Sequence, residues 1–159
     1  MGTVNEKARI LVIDDDESIR ESLVMLLQAK GYIVDAAKDG KEAVAMSNAN
    51  SYKLALIDIR LPDMEGTELL TTMRETTPRM IKIIVTGYPA LQNAVKAVNE
   101  GADGYIVKPV KAAELLSMVD EHLKKQRENT KYTEEKVTEY IESRAREVES
   151  ARPKSKAPS

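Results

Sequence analysis

The chain has no cysteine, no tryptophan and no phenylalanine in 159 residues, and its 4% aromatic content is tyrosine alone. Without cysteine there are no disulfides and no thiolate metal site, which fits a reducing compartment. The one histidine, His122, falls late in the last helical stretch of the globular part. It is expected on the surface, too far along that helix to reach the carboxyl ends of the strands. Strong charge of one sign is also missing. With 24 basic and 26 acidic side chains the net charge is −2, and no bulk pull toward nucleic acid or an anionic membrane follows. No apolar run approaches the ~20 residues of a membrane span, and the short polar start, Met1 to Arg9, does not read as a signal peptide. The expectation is a cytoplasmic protein with no membrane insertion.

What is present is ordinary for a globular protein: 42% hydrophobic and 31% charged residues, enough for one domain with a real core and some chain to spare. The charge is not uniform. Residues 1–123 hold 14 basic and 19 acidic side chains, whereas residues 124–159 hold 10 and 7. The expected division is a tail over 1–8, a globular domain over 9–124, a charged helical extension over 125–150, and a disordered tail over 151–159.

Within the domain, short apolar runs alternate with segments of helical period. The runs are Ile10–Ile13, Tyr32–Ala36, Leu54–Ile57, Ile81–Val85 and Tyr105–Val107. Between and after them come Ile19, Leu23, Leu26 and Leu27, with Gly31 as the stop; then Ala43, Val44 and Met46; then Leu69, Leu70 and Met73 between Gly66 and Glu75. Ala94, Val95 and Val98 follow between Pro89 and Glu100, and Leu115, Leu116, Val119 and Leu123 after Ala112. Five βα units in sequence predict an α/β fold, a five-stranded parallel sheet with helices on both faces. Ligands of such folds gather outside the carboxyl ends of the strands. That edge is where Asp14, Asp15, Asp58, Thr86 and Lys108 fall.

A carboxylate at the end of a buried strand is costly unless its charge is compensated. Asp14, Asp15 and Asp58 together crowd like charges that repel one another unless a cation is present, and a hard divalent ion such as Mg²⁺, or Mn²⁺, suits carboxylate, carbonyl and water ligands. Beside such an ion a carboxylate can act as a nucleophile toward phosphorus. The Thr86 hydroxyl and Lys108 ammonium are the donors that phosphoryl oxygens need. Asp16 and Glu17 read instead as the start of the next helix. The Lys108–Pro109 bond is a candidate for the cis form.

In order and at matching spacing, the chain carries Asp14-Asp15 with Ser18-Ile19-Arg20, Gly31-Tyr32-x-Val34, and Ala37-x-Asp39-Gly40. It continues with Asp58-x-x-Leu61-Pro62-x-Met64-x-Gly66, Thr86-Gly87, Gly101-Ala102-x-Gly104-Tyr105, and Lys108-Pro109. Over about residues 8–124 it resembles the receiver domain of two-component response regulators. The resemblance implies that Asp58 accepts phosphate from the phosphohistidine of a sensor histidine kinase or histidine phosphotransfer protein. It implies Mg²⁺ held by Asp15, Asp58 and the backbone carbonyl of Arg60, with Asp14 acting through a metal-bound water. Thr86 would move toward the phosphoryl group, Lys108 would pair with it, and Tyr105 would be the aromatic switch. The domain would be a signalling module that is phosphorylated and dephosphorylated, not a turnover enzyme. Val110, where the family often has an aromatic, reads as a packing change.

Arg60 and Tyr88 flank the approach of hydrolytic water to Asp58, and large side chains there are expected to lengthen the phosphorylated state. In the extension, Val137, Ile141, Ala145 and Val148 form one narrow helical stripe, a candidate for homodimerisation or for docking an unknown downstream protein. No helix-turn-helix, ATPase loop or second core is recognisable, so direct nucleic-acid binding is not expected. A stand-alone receiver and a fragment of a longer regulator both remain open. A flavodoxin-like cofactor binder would need a hydroxyl or glycine-rich first loop, where Asp14-Asp15-Asp16-Glu17 stands. A Mg²⁺-dependent aspartyl-phosphate phosphatase would need an acid at Arg60.

Overall fold

The structure is a computed structural model that describes residues 7–76, 78–87 and 90–151; for residues 91–93 it describes the backbone alone. Of the expected tails over 1–8 and 151–159, residues 1–6 and 152–159 lie outside the described residues, as do Tyr88 and Pro89. Ten elements follow one another: β1 (Arg9–Ile13), α1 (Glu17–Ala29), β2 (Ile33–Ala37), α2 (Gly40–Ala49), β3 (Leu54–Ile57), α3 (Gly66–Thr72), β4 (Ile81–Thr86), α4 (Leu91–Asn99), β5 (Gly104–Val107) and α5 (Ala112–Ala151). The strands form one parallel sheet in the order β2-β1-β3-β4-β5. The expected α/β architecture is thus the observed one.

Period-two alternation along the strands builds two cores. Ile10, Val12, Leu54, Leu56, Ile83 and Val85 face α1 and α5, meeting Leu23, Leu27, Leu115, Val119 and Leu123. Leu11, Ile13, Ala55, Ile57 and Ile84 face the other way, onto Ala43, Leu69, Leu70 and Ala97. The central strands are buried on both faces, so their ends are the places where polar groups can meet solvent. Helix starts are fixed locally. The Asp16 carboxylate accepts from the Ile19 N–H at 3.0 Å, and that of Asp39 from the Glu42 N–H at 2.8 Å. Gly31, with φ of 91°, ends α1 in a conformation that only glycine adopts freely.

Three expectations are corrected. Helix α3 stops at Thr72 and not near Glu75. Buried Lys82 donates to the Leu70 carbonyl at 2.6 Å, and the Arg74 guanidinium is drawn to the Ser47 carbonyl at 3.0 Å. Among the α4 residues whose side chains are described, the inward one is Ala97, fully buried, while Val95 and Val98 are 51% and 67% exposed. Alanine lets the helix approach the sheet closely, and the bulkier valines turn outward. His122 is half-buried, its Nε2 on the side of Gly104.

The chain divides into two compact units, residues 1–124 and 125–159. In the second, every residue from Lys131 to Ala151 is exposed, and Lys136–Glu139 and Arg144–Glu147 ion pairs support the helix locally. Tyr132, Val137, Tyr140, Ile141 and Val148 are its exposed apolar residues. No helix among the described residues is long and apolar enough to cross a membrane.

At the amino edge of the sheet the Tyr52 hydroxyl donates to Asp35 Oδ2 at 2.7 Å, and Arg9 donates to Asn50 at 2.9 Å. Burial, aided by the Asp35 hydrogen bond and charge, pushes Tyr52 up to about 12. The fold therefore favours the protonated phenol, a contribution present below pH ~10 and lost as pH rises toward ~12. Tyr52→Phe is expected to cost about 1 kcal/mol near neutrality and to lose less stability than wild type on raising the pH from 10 to 12. Urea melts at three pH values measure both effects; parallel alkaline profiles would rule out Tyr52 as the titrating group.

Candidate functional site

Four strands deliver the site. β1 runs into Asp14, which is 1% exposed, and β3 runs into Asp58, 6% exposed. Asp15 is exposed beside them, and one carboxylate oxygen from each of the three lies within 4.8 Å of the others. Parallel pairing in register, Ile13 opposite Ile57, sets the two buried acids side by side. The Asp14 N–H is held by the Ala37 carbonyl at 3.1 Å, and the Asp58 N–H by that of Ile13 at 2.9 Å. Neither acid can retreat without breaking the sheet edge.

The compensating cation comes from the loop after β5. Lys108 Nζ lies 2.8 Å from Asp14 Oδ2 and 3.3 Å from Asp58 Oδ2. Its backbone N–H donates to the Thr86 carbonyl at 2.8 Å, which ties it to the end of β4. The Lys108–Pro109 bond is cis, as the sequence allowed. Thr86, fully buried, is the last residue of β4. So Asp14, Asp15, Asp58, Thr86 and Lys108 share one edge.

The charges are not balanced. Burial, and then the charge of Asp14, hold Asp58 above the usual carboxylate range, although Lys108 and the backbone N–H of Arg60 pull the other way. For Lys108, burial alone would lower the pKa, but hydrogen bonds and charge from Asp14 and Asp58 outweigh it and the net shift is upward. Three clustered acids facing a single described lysine form an oxygen donor set with uncompensated charge. Those residues fit a hard divalent cation.

Tyr105 sits on β5 opposite Ile84, half-buried against the core on that face. Its hydroxyl is buried and has no hydrogen-bond partner among the described residues. Arg60 is exposed on the loop after β3, its backbone in an isolated antiparallel β-bridge with that of Glu65, and Tyr88 lies outside the described residues. The loop is closed by Gly66, whose N–H donates to the Ile59 carbonyl at 2.5 Å; a Cβ there would lie 1.9 Å from the Asp58 carbonyl oxygen.

Sequence reasoning passed over several supports. The Asp16 N–H donates to Asp14 Oδ1 at 2.9 Å, and Arg20 donates to the Asp14 carbonyl at 2.8 Å. Asp63, left as a variable position, accepts from the N–H groups of Gly40 and Lys41 at 2.9 and 2.8 Å. An acid after Pro62 signals a turn, but nothing in the sequence names a partner more than twenty residues away.

Residues 10–120 match the family model described as the response regulator receiver domain. The chain is 33% identical over 116 residues to the transcriptional regulatory protein HprR of Escherichia coli (strain K12), covering 73% of this chain and 52% of that protein. It therefore spans about half the length of that curated relative. Among solved structures it is similar to a CheY-like receiver domain protein from Methanospirillum hungatei JF-1. That match has 44% identity and a TM-score of 0.75, and covers 78% of this chain and 99% of that one. It is also similar to a Burkholderia pseudomallei response regulator with a phosphorylated aspartic acid, calcium ion and citrate. There the identity is 30% and the TM-score 0.64, with coverage of 70% and 65%.

Because Asp58 is raised in the fold, its ionised form destabilises the native state relative to the unfolded chain. That penalty is complete above the folded pKa and disappears as pH falls to 3.8 and below, where both states are protonated. Asp58→Asn is expected to raise the melting temperature of the metal-free protein at pH 7. The gain should shrink on acidification. A variant less stable than wild type at pH 7 would contradict the charge argument.

Proposed function

This chain belongs to the response regulator receiver family, and on that premise we propose that Asp58 is its phosphoacceptor, taking a phosphoryl group from a phosphohistidine of a sensor kinase or histidine phosphotransfer protein. Receiver domains are signalling domains of two-component systems, and phosphorylation and Mg²⁺ binding are typical of them. The observation that carries the reading is the Lys108 ammonium shared between Asp14 and Asp58, with Asp15 in the same cluster.

Asp15, Asp58 and the Arg60 backbone carbonyl would hold Mg²⁺, with Asp14 reaching it through water. The bound ion supplies charge neutralisation for the phosphoryl oxygens. An Asp58 carboxylate oxygen, oriented by the Arg60 N–H, forms the new O–P bond. The N–P bond of the donor breaks, and its electron pair returns to the imidazole, which takes up a proton. Lys108 and the Thr86 hydroxyl then meet the phosphoryl oxygens. Most of the catalysis is positioning.

Tyr105 would report the change. Its hydroxyl, with no partner among the described residues, leaves it weakly held in polar terms, so a shift of Thr86 on the adjacent strand can alter its packing at low cost. An apolar groove of about 300 Å³ between α1 and the Lys108–Val110 segment, lined by Ile19, Leu23, Leu26 and Pro109, shares Lys108 with the site. That position suits the surface of the donor protein. Arg60 and Tyr88 would slow the approach of water to the acyl phosphate. Output would run through protein contact, and the Val137, Ile141, Ala145 and Val148 stripe would serve self-association.

Incubation with a small phosphodonor and Mg²⁺, followed by intact mass, should add one phosphate that is absent in Asp58→Ala. Its decay should be severalfold faster when Arg60 and Tyr88 are both replaced by alanine. No phosphate gain with any donor overturns the reading, and an unchanged decay rate removes the lifetime role. For the stripe, sedimentation of the full chain should show a heavier species that Ile141→Glu abolishes; equal masses eliminate self-association there.

A further inference from the structure

The loop from Asp58 to Gly66 carries the proposed acceptor at one end and Arg60 near it, yet it is not held by the sheet alone. At its far turn, Asp63 reaches across to α2. Oδ1 accepts from the Gly40 N–H at 2.9 Å and Oδ2 from the Lys41 N–H at 2.8 Å. These are two of the four amide donors that a helix start leaves without intrahelical partners. A third, the Glu42 N–H, is taken by Asp39 at 2.8 Å. A carboxylate spanning two such donors is a charge-assisted, two-point attachment at the positive end of a helix. The Gly40 and Lys41 hydrogen bonds also hold the Asp63 carboxyl below the usual carboxylate range.

Packing reinforces the same junction. A Cβ on Gly40 would lie 2.4 Å from Met64 Sδ, so the absence of a side chain at Gly40 lets the residue after Asp63 lie flat on the start of α2. Within the loop, the Leu61 N–H donates to the Met64 carbonyl at 3.2 Å and the Gly66 N–H to that of Ile59 at 2.5 Å. The segment is therefore a closed turn whose tip is clamped and whose base is the site. On its other side the loop has an ion pair, Lys96 Nζ to Glu65 Oε2 at 3.2 Å, with both side chains about half exposed. A single exposed pair of flexible side chains positions little; two backbone donors fixed by a helix position much more.

We infer that Asp63 is a positioning residue for the metal site: by latching the 58–66 turn onto the start of α2, it fixes the Arg60 backbone against Asp58 and so sets the affinity for the divalent cation. The inference rests on the functional reading above, in which the Arg60 carbonyl is a ligand. Removing the latch leaves Asp14, Asp15 and Asp58 in place on their strands. It frees only the segment that supplies the remaining protein ligand. Residues that orient ligands typically change metal affinity by about 10–100-fold when replaced.

The test measures free Mn²⁺ by electron paramagnetic resonance during titration of the full chain, well below its melting temperature. Wild type should bind and Asp58→Asn should not. Asp63→Ala should bind about tenfold more weakly, with Asp63→Asn, which keeps one acceptor oxygen, in between and available should the alanine variant fold poorly. Asp39→Ala is the control. It removes a cap from the same helix without touching the loop, so it should melt earlier than wild type and bind Mn²⁺ with wild-type affinity. A second readout needs no variant: in wild type, Mg²⁺ should slow hydrogen exchange at the Gly40 and Lys41 amides. If Asp63→Ala and Asp63→Asn bind as tightly as wild type, or if Asp39→Ala weakens binding as much as they do, Asp63 is only a helix cap. If wild type itself binds no Mn²⁺, the functional reading fails, and the inference with it.

Discussion

Lys108 holds the site together by standing between two buried acids, 2.8 Å from Asp14 and 3.3 Å from Asp58. At an effective dielectric of about 20, each such contact is worth on the order of 5 kcal/mol. Removing a charged group from water costs several kcal/mol apiece. Burial, and then the charge of Asp14, hold Asp58 above the usual carboxylate range, so one ammonium shared between two carboxylates leaves their charge under-compensated. The arrangement tolerates its negative charge without satisfying it. A site in that condition responds to any additional cation, and to any change in the number of charges on Asp58.

The fold makes this possible by dividing labour between strand interiors and strand ends. Each central strand is apolar on both faces, so β1 and β3 are fixed by two cores at once. Their final peptide groups are still inside the hydrogen-bond ladder where Asp14 and Asp58 begin. The acids inherit the rigidity of the sheet, while their side chains emerge where loops and solvent can reach them. The register of β4 with β5, Thr86 opposite Val107, brings the residue that follows, Lys108, to the same edge. Gly66 completes the enclosure, because only the absence of a side chain lets the turn close against the Asp58 backbone.

Much of this was legible in the sequence, for a physical reason. A continuous apolar run such as Leu54–Ile57 that stops at an acid names both a buried strand and the polar residue at its end. A repeated run–acid, run–hydroxyl, run–lysine pattern places those residues together once the strands are parallel. What was illegible depended on tertiary contacts. Val95 and Val98 looked like the inner face of α4, but close helix–sheet approach favours Ala97. The early end of α3 depends on Lys82 and Arg74 claiming partners in other elements. Asp63 finds its donors on α2 only after the chain has turned back on itself.

The surroundings of Asp58 are unequal in a way that bears on where a charge change there is felt. Toward α2 the loop is secured by two backbone donors and by the Gly40–Met64 contact, and α2 itself starts from a side-chain cap at Asp39. Toward α4 the restraints among the described residues are fewer. That helix begins at Ala90 with no side-chain cap, presents Val95 and Val98 outward, and meets the loop through the exposed Lys96–Glu65 pair. Beside it, Tyr105 carries a buried hydroxyl with no partner among the described residues. Displacement follows the least-restrained contacts. A dianion placed on Asp58 would pull on Lys108 and Thr86, and both lie on the β4–β5 side. On the proposed reading, the attachment to α2 would hold Asp58 still, and the change would be taken up by the described contacts toward α4.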